Sequence, residues 1–411
     1  MIKKYFIFLL IVSAGLFSCT PGVSVKVETA PEKDIWESDT GYTAYLPFRV
    51  DFIRTIGKVG TGKGEFLKPS AIAVDSDNNI YVLDNGSERV QIFDLEGNFL
   101  YEFRATSENA ANKPDFVGIA VDKSFRIFIS DRKNDSVLVY EIVGRLTKDY
   151  SMNAIKYSGT LESKGIEKIL SDLSTGDKFS FLAVNVPGVS TGSIYEVKDK
   201  SSSSITVEDT RTMDSREFNL SSYGSQKVYV RILFDRPFGV ATDLLGNVFV
   251  VNNYSEAVMK FNSFNVFEYS ICSYGRGINQ LSDPRGIAVD SKRNIYVADT
   301  GNNRIQLFDL NGSYLKEWGG KGEKEGQFID PMAVEVDGTG NVFVADNGNE
   351  RIQVFDRKGK YLFQFKGKYS GTGGQEGFQP VSMAIASDNY LFILDSFNNV
   401  LSLFEVKYEE R

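Results

Sequence analysis

Histidine is absent from this chain of 411 residues, and cysteine occurs only as Cys19 and Cys272. Imidazole is the usual general base near neutral pH and the commonest protein ligand of zinc, so enzymes that depend on histidine are excluded. If Cys19 is used elsewhere, no disulfide can form within the chain, and Cys272 is expected to be a small buried residue. A basic excess is also lacking, because 46 Lys and Arg stand against 54 Asp and Glu. Nucleic acid is therefore not an expected partner.

The N-terminus has the pattern of an export signal, with residues 1–18 as the signal peptide. A short basic start precedes about a dozen apolar residues, which are too few for a comfortable membrane span. The segment ends in Leu-Phe-Ser followed by Cys19, which resembles a bacterial lipobox, where the cysteine is diacylated and becomes the new N-terminus. Phe17 is bulkier than that pattern usually has, so ordinary cleavage that leaves Cys19 as a free thiol is the alternative. Thr20 stands where retention signals of the inner membrane have aspartate, which favours the outer membrane, on either its periplasmic or its surface side.

A repeated unit dominates the rest of the chain. The segment PRGIAVDSKRNIYVADTGNNRIQLFDLNGSYLKEW at 284–318 has close copies at 331–365 and 69–103. Weaker copies make six units in all, with starts at Pro114, Pro237 and Pro380. Successive starts are 45 to 49 residues apart, except for 123 residues between the second and third units.

Each unit contains four short alternating or apolar runs separated by Gly, Asn and Asp turns, which is the pattern of four antiparallel strands. Four strands in a repeat of this length indicate a propeller blade, so an all-β, six-bladed β-propeller is expected. The last unit stops after its third strand, whereas an orphan strand, PFRVDFIRTIG, precedes the first unit at 47–57. This strand is expected to complete blade six and to close the ring without a free edge.

The residues GxF…P, VD, GNIYVAD and N-x-RIQVFD resemble the NHL repeat of six-bladed propellers over roughly residues 47–142 and 237–406. Units one, four and five match this pattern closely. They share one arginine, which the degenerate units replace by Ser136, Ala257 and Val400. We expect the arginines to be structural, pairing with carboxylates or carbonyls between blades, rather than to bind a ligand: Arg89, Arg304 and Arg351.

The connection from blade two to blade three is unusually long. Where 12 residues separate Trp318 from Pro331, this connection has 86, which is too many for a plain loop. Apolar residues at i, i+3, i+4 and i+7 predict a short amphipathic helix at its start: Ile166, Ile169, Leu170 and Leu173. The runs that follow predict strands, so a small β-rich module is expected, with a disordered insertion as the alternative. The expected organisation is a signal peptide at 1–18, a lipidated tether at 19–46, blades one and two with the closing strand at 47–150, the inserted module at 151–236, and blades three to six at 237–411.

The composition and motifs favour a non-catalytic protein without a cofactor, an exported platform that binds a protein, peptide or glycan and contacts the membrane only through its lipid. The stretch from Asp75 to Asn79 superficially resembles a calcium loop, but it lacks the glycine and the distal glutamate of that motif and is interpreted as a turn. A metal-dependent hydrolase or lactonase with Asp, Asn and Glu ligands in the central channel is the alternative. A purely structural envelope protein is a third possibility.

Candidate binding residues lie in the turns between the second and third strands, on the face from which the insertion is expected to emerge. Arg132 and Tyr254 depart from the Asn/Gly pattern of these turns, so turn chemistry alone does not explain them. An ordinary role as exposed turn residues is the alternative for these two. The full set of candidates is Asn85, Arg132, Asn253, Tyr254, Thr300 and Asn347.

Overall fold

The computed structural model describes residues 45–106, 112–142, 234–367, 377–386 and 389–410, and seven strands between residues 155 and 233. In those seven strands, and at residues 45–48, 142 and 409–410, the description covers the backbone alone. The described residues belong to one compact unit, Ala44–Arg411.

Six four-stranded antiparallel sheets form the body of the protein, and all but one follow chain order from the innermost to the outermost strand. After β1 (Tyr45–Ile56), blade one comprises β2 (Pro69–Val74), β3 (Ile80–Asp84), β4 (Arg89–Phe93) and β5 (Phe99–Arg104). Blade two comprises β6 (Phe116–Val121), β7 (Arg126–Asp131), β8 (Ser136–Ile142) and β9 (Ile155–Thr160). The predicted six-bladed propeller is confirmed.

The insertion supplies six strands that pair into one antiparallel sheet of their own. In chain order they are β10 (Ile166–Ile169), β11 (Lys178–Ala183), β12 (Ile194–Lys200), β13 (Ser204–Asp209), β14 (Ser215–Asn219) and β15 (Lys227–Leu233). Within this sheet the order is β10-β15-β11-β12-β13-β14, so the last strand of the insertion lies between its first two.

The remaining four blades follow the insertion. Blade three comprises β16 (Pro237–Thr242), β17 (Val248–Asn252), β18 (Ala257–Phe261) and β19 (Phe267–Ile271), and a short parallel pair, β20 (Ser273–Tyr274) and β21 (Gln280–Leu281), leads onward. Blade four comprises β22 (Pro284–Val289), β23 (Ile295–Asp299), β24 (Arg304–Phe308) and β25 (Tyr314–Gly319). Blade five comprises β26 (Pro331–Val336), β27 (Val342–Asp346), β28 (Arg351–Phe355) and β29 (Tyr361–Phe365). Blade six comprises β30 (Pro380–Ile385), β31 (Tyr390–Asp395) and β32 (Val400–Glu410).

The N-terminal strand completes blade six, as the sequence predicts. Strand β1 pairs antiparallel with β32 from Tyr45 opposite Glu410 to Ile56 opposite Leu401. The Phe52 and Phe404 rings meet edge to face with their centroids 5.5 Å apart. Because the first and last strands of the propeller share one sheet, the ring closes without leaving β32 as an edge.

Antiparallel blades place their turns on two opposite faces. The turns between second and third strands and the connections between blades lie on one face, which we call the insertion face because the insertion leaves and re-enters the ring there. The turns between first and second strands and between third and fourth strands lie on the other, the reverse face. Apolar side chains of adjacent blades pack between the sheets, as Tyr81 and Leu83 do with Phe116 and Ile127.

Three details of the repeat differ from the sequence prediction. Blade two begins at Phe116, which pairs with Asp131 as Pro69 pairs with Asp84, and not at Pro114. Its fourth strand is β9, which pairs with β8 beyond the expected end at Tyr150. The insertion therefore begins after β9, because the connection between β8 and β9 is longer than in the close copies.

The predicted helix is replaced by a strand over the residues that the structure describes. Ile166–Ile169 forms β10 and pairs antiparallel with residues 227–230 of β15. Four residues are too few for their periodicity to separate a helix from a strand, and pairing with a segment about sixty residues later decides for the strand. Leu170 and Leu173 lie outside the described residues.

Candidate functional site: arginine and aromatic side chains on the insertion face

All six candidate turn residues lie on the insertion face, and four of them join neighbouring blades. The Asn85 side chain donates to Asp115 and accepts from the backbone N–H of Phe116. Equivalent bonds link the next junctions: Asn253 Nδ2 donates to Asp283 and to the Pro284 carbonyl, Thr300 Oγ1 to the Pro331 carbonyl, and Asn347 Nδ2 to the Pro380 carbonyl. These four side chains therefore have a structural role in holding each blade to the next.

Arg132 and Tyr254 have different surroundings. Arg132 makes two hydrogen bonds to Asp115 Oδ2, at 2.9 and 2.6 Å, while its side chain remains 42% exposed. Tyr254 is exposed, and the guanidinium carbon of Arg236 lies 5.5 Å from its ring centroid. Tyr254 thus contacts an arginine of the connection that enters blade three.

A second aromatic ring, that of Phe238, contacts arginines of both neighbouring blades. The guanidinium carbons of Arg132 and Arg285 lie 5.6 and 5.4 Å from its ring centroid, within the distance for a cation–π interaction. Arg285 is oriented by two bonds to Asp283 Oδ2. We call Arg132, Arg236, Phe238, Tyr254 and Arg285 the arginine–aromatic cluster.

Phe238 and Arg285 of the cluster lie on one side of the mouth of the central channel. The second residue of each innermost strand forms a ring at this level, with large side chains at Phe238, Arg285 and Met332 of blades three to five. Blades six, one and two place smaller residues there: Val381, Ser70 and Val117. Arg236 follows β15 by three residues, so the cluster also adjoins the point where the insertion rejoins the propeller.

Sequence reasoning missed Phe238, Arg236 and Arg285. A usable signal was present, because the second residue of the first strand is Phe or Arg only in units three and four. Phe397 was missed as well. It is 40% exposed on the insertion face and replaces the glycine found at Gly86, Gly301 and Gly348 in the close copies.

The three repeat arginines are structural. Arg304 donates from Nε to Asp299 at 2.7 Å and from Nη1 to Glu317 at 2.8 Å, and its Nη2 binds the carbonyls of Gly277 and Gln280 in the connection between blades. Arg89 and Arg351 make the corresponding bonds in blades one and five. Each guanidinium fixes the connection to the blade that it enters.

The central channel encloses about 430 Å³ and is lined by the innermost strands of all six blades. Glu335 is the exception at the fifth position of the innermost strands, because the other five blades have alanine there, as Ala288 in blade four. The Glu335 carboxylate accepts a hydrogen bond from the Ile385 N–H, and burial raises its pKa to about 8. A second acid, Glu256, lies in the blade-three turn beside Asp283, and burial raises its pKa to about 7.

The described residues give little support to a metal centre. Among them, no group of three or more Cys, Asp or Glu side chains is arranged to hold a metal ion. The stretch from Asp75 to Asn79 is a hairpin turn, in which Asp75 Oδ1 accepts from the N–H groups of Asp77 and Asn79.

Cys272 is half-buried, and burial raises the pKa of its thiol. No helix in the described part of the chain is long and apolar enough to cross a membrane.

Comparison with known proteins identifies the repeat. Residues 51–218 match a family described as a 6-bladed beta-propeller, and residues 281–308 match the NHL repeat. Among curated proteins, Protein brain tumor of Drosophila melanogaster is 28% identical over 114 residues, which are 26% of this chain and 11% of that protein. Protein lin-41 of Caenorhabditis elegans is 48% identical over 48 residues, 12% of this chain and 4% of that protein. The chain therefore spans only a small part of the length of these relatives.

Solved structures can be superposed over most of the chain. A streptogramin B lyase structure superposes with a TM-score of 0.49 and 12% identity over 89% of this chain and 100% of that one. Virginiamycin B lyase from Staphylococcus aureus superposes with a TM-score of 0.46 and 10% identity over 87% of this chain and 99% of that one. At this level of similarity, the likeness carries no inference about activity.

Proposed function

We propose that this NHL-repeat, six-bladed β-propeller is an exported, lipid-anchored binding protein of the bacterial envelope, and that it recognises an acidic segment of a protein or peptide at the arginine–aromatic cluster. The observation that carries the proposal is that three arginines contact two aromatic rings on the insertion face of blades two to four. Arg, Tyr and Trp are the residues that most often dominate binding energy at interfaces, and guanidinium groups pair with carboxylates in fixed geometry. Supporting this, Arg132 and Arg285 are already ordered by Asp115 and Asp283.

The lipid anchor is supported by the lipobox-like sequence that ends at Cys19. The measurement is partitioning of the protein from bacterial cells between a Triton X-114 detergent phase and water. We expect the native chain in the detergent phase and Cys19→Ala in the aqueous phase. Equal partitioning of the two proteins would contradict lipidation at this residue.

The binding face is tested by photocrosslinking in cells. A photoreactive residue replaces Tyr254 in the cluster or, as the matched control, Val59, which is 62% exposed in the connection into blade one on the same face. We expect a discrete adduct from position 254 and none from position 59. The same adduct from both positions, or from neither, would contradict recognition at the cluster.

A further inference from the structure

Three large apolar side chains are exposed together on the reverse face of blade three. Leu244 and Leu245 form the tip of the turn between its first and second strands, with exposed fractions of 50% and 62%. Phe264 forms the tip of the turn between its third and fourth strands and is 84% exposed. Corresponding tips in other blades are polar, such as Asp77 in blade one and Lys292 in blade four.

These tips are held by a side chain from the neighbouring blade. Arg126 of blade two is bonded through Nε to Asp122 at 2.7 Å, and its side chain is 15% exposed. Its Nη1 donates to the Ser263 carbonyl at 2.8 Å and its Nη2 to the Gly246 carbonyl at 3.2 Å. One guanidinium thus fixes both turns, so the apolar tips are presented in a set position and not on loose loops.

Basic side chains lie on either side of the tips. The turns between first and second strands in blades two and four, which flank blade three, carry Lys123 and Lys292, and both residues are exposed. An apolar group flanked by lysines has the chemistry of a membrane-surface contact, where apolar side chains enter the acyl boundary and cations meet anionic headgroups.

The chain enters the ring on the reverse face. Strand β1 enters the ring at Tyr45 opposite Glu410, and this end of the strand pair lies on the reverse face. The 25 residues between Cys19 and Tyr45 span at most about 85 Å even when fully extended. Blade six, which receives the chain, and blade three, which carries the tips, are on opposite sides of the ring.

We propose that the reverse face rests on the lipid bilayer, with Leu244, Leu245 and Phe264 inserted among the lipids and Lys123 and Lys292 facing anionic headgroups. This inference rests on the proposed lipid anchor. Blade three contacts the bilayer on the side of the ring opposite to the chain entry at blade six, so the reverse face lies parallel to the membrane. The insertion face and its arginine–aromatic cluster are then directed away from the membrane, toward a partner.

The test uses the chain from residue 19 with Cys19→Ser, which has no lipid, and vesicles of phosphatidylcholine with phosphatidylglycerol. We expect sedimentation with vesicles, weakened by about tenfold or more in Leu244→Ser/Leu245→Ser/Phe264→Ser, since each apolar side chain contributes substantially to partitioning. Lys123→Glu/Lys292→Glu should abolish the preference for phosphatidylglycerol. The matched control is Val59→Ser/Tyr274→Ser/Ile278→Ser, which removes three exposed apolar residues from the insertion face and should leave binding unchanged.

Equal binding by the two triple variants, or no binding by the parent chain, would overturn the proposal. A concentration-dependent dimer that only the blade-three variant abolishes would instead assign the tips to a second copy of this chain. Because the assay uses protein without lipid, its result is independent of whether Cys19 is acylated in cells.

Discussion

Arg304 illustrates how a single side chain organises a blade in this protein. It is 9% exposed, and its partner Asp299 is fully buried between the second and third strands of blade four. In blade three the corresponding pair is Asn252 and Ala257, so the carboxylate and the guanidinium are both missing there. Because both members of the pair are replaced in blade three, no buried charge is left there without its partner.

We therefore expect Arg304→Ala to lower the free energy of unfolding by about 3 to 5 kcal/mol, as for other buried pairs that lose one member. Denaturant titration measures this change. The double variant Asp299→Asn/Arg304→Ala, which has the residues of blade three, should lower the free energy of unfolding by less than Arg304→Ala alone. Arg49→Ala, which removes an exposed pair with Asp51, should cost about 0.5 kcal/mol or less. Equal costs for Arg304→Ala and Arg49→Ala would contradict the structural role.

Glu335 gives a pH dependence with a definite sign. Its pKa of about 8 lies above the ordinary 4.5, so the folded state binds the proton more tightly than the unfolded state does. Protonated Glu335 therefore contributes stability that is fully present below about pH 4.5 and is lost as the pH rises toward 8. Glu335→Gln keeps an acceptor for Ile385 but carries no charge. We expect it to be more stable than the parent chain, with a difference that grows by more than about 1 kcal/mol from pH 5 to pH 9.

The matched variant is Glu335→Ala, which restores the residue of the other five blades and should show the same trend with pH. Denaturant titration at the two pH values measures both variants. A stability difference that is the same at pH 5 and pH 9 would show that Glu335 ionises normally in the folded state.

At the scale of elements, the strand pair of β1 and β32 decides whether the ring is closed. Ile56 of β1 is 7% exposed and packs in the apolar core shared by blades six and one. We expect a chain that begins at Gly57 to lose cooperative thermal unfolding and to aggregate, because β32 becomes an exposed edge. A peptide of residues 44–56 added in trans should restore the transition, and a scrambled peptide should not. Cooperative unfolding of the truncated chain at the parent temperature would contradict closure by β1.

Strands and blades could be predicted from the sequence because their pattern is local. Alternating apolar residues and Asp or Gly turns recur in the close copies, and the orphan strand before Pro69 marked the seam. The fourth strand of blade two could not be placed in this way, since the segment after Ile142 follows none of the turn spacing of the close copies. The strand at Ile166–Ile169 depended on pairing with the distant β15, which no short window contains.

The candidate site was predictable only where a residue broke a repeated pattern. Arg132 and Tyr254 were found because turn chemistry did not explain them, whereas Asn85 and Asn347 follow that chemistry and join blades. Phe238 and Arg285 were missed because a position in a strand does not reveal which side chains meet around a channel mouth. Only the closed ring brings blades two, three and four together there.

At the scale of the whole molecule, the insertion is a separate sheet carried by the ring. Its six strands pair with one another, and blades two and three are each complete without them. We expect a chain in which a short Gly-Ser connection replaces residues 161–233 to retain the unfolding temperature of the propeller. An unfolding temperature well below that of the parent chain would show that the insertion helps to hold the ring.

The most direct test of the account is the yield of the crosslinked adduct from a photoreactive residue at position 254, compared between the parent chain and Arg132→Ala/Arg285→Ala. Both arginine side chains are partly exposed, so the double variant should fold, and circular dichroism checks this. The account predicts that the adduct formed by the parent chain is lost in the double variant, while the amount of the variant protein in the cell equals that of the parent chain. An undiminished adduct would contradict recognition by the arginine–aromatic cluster.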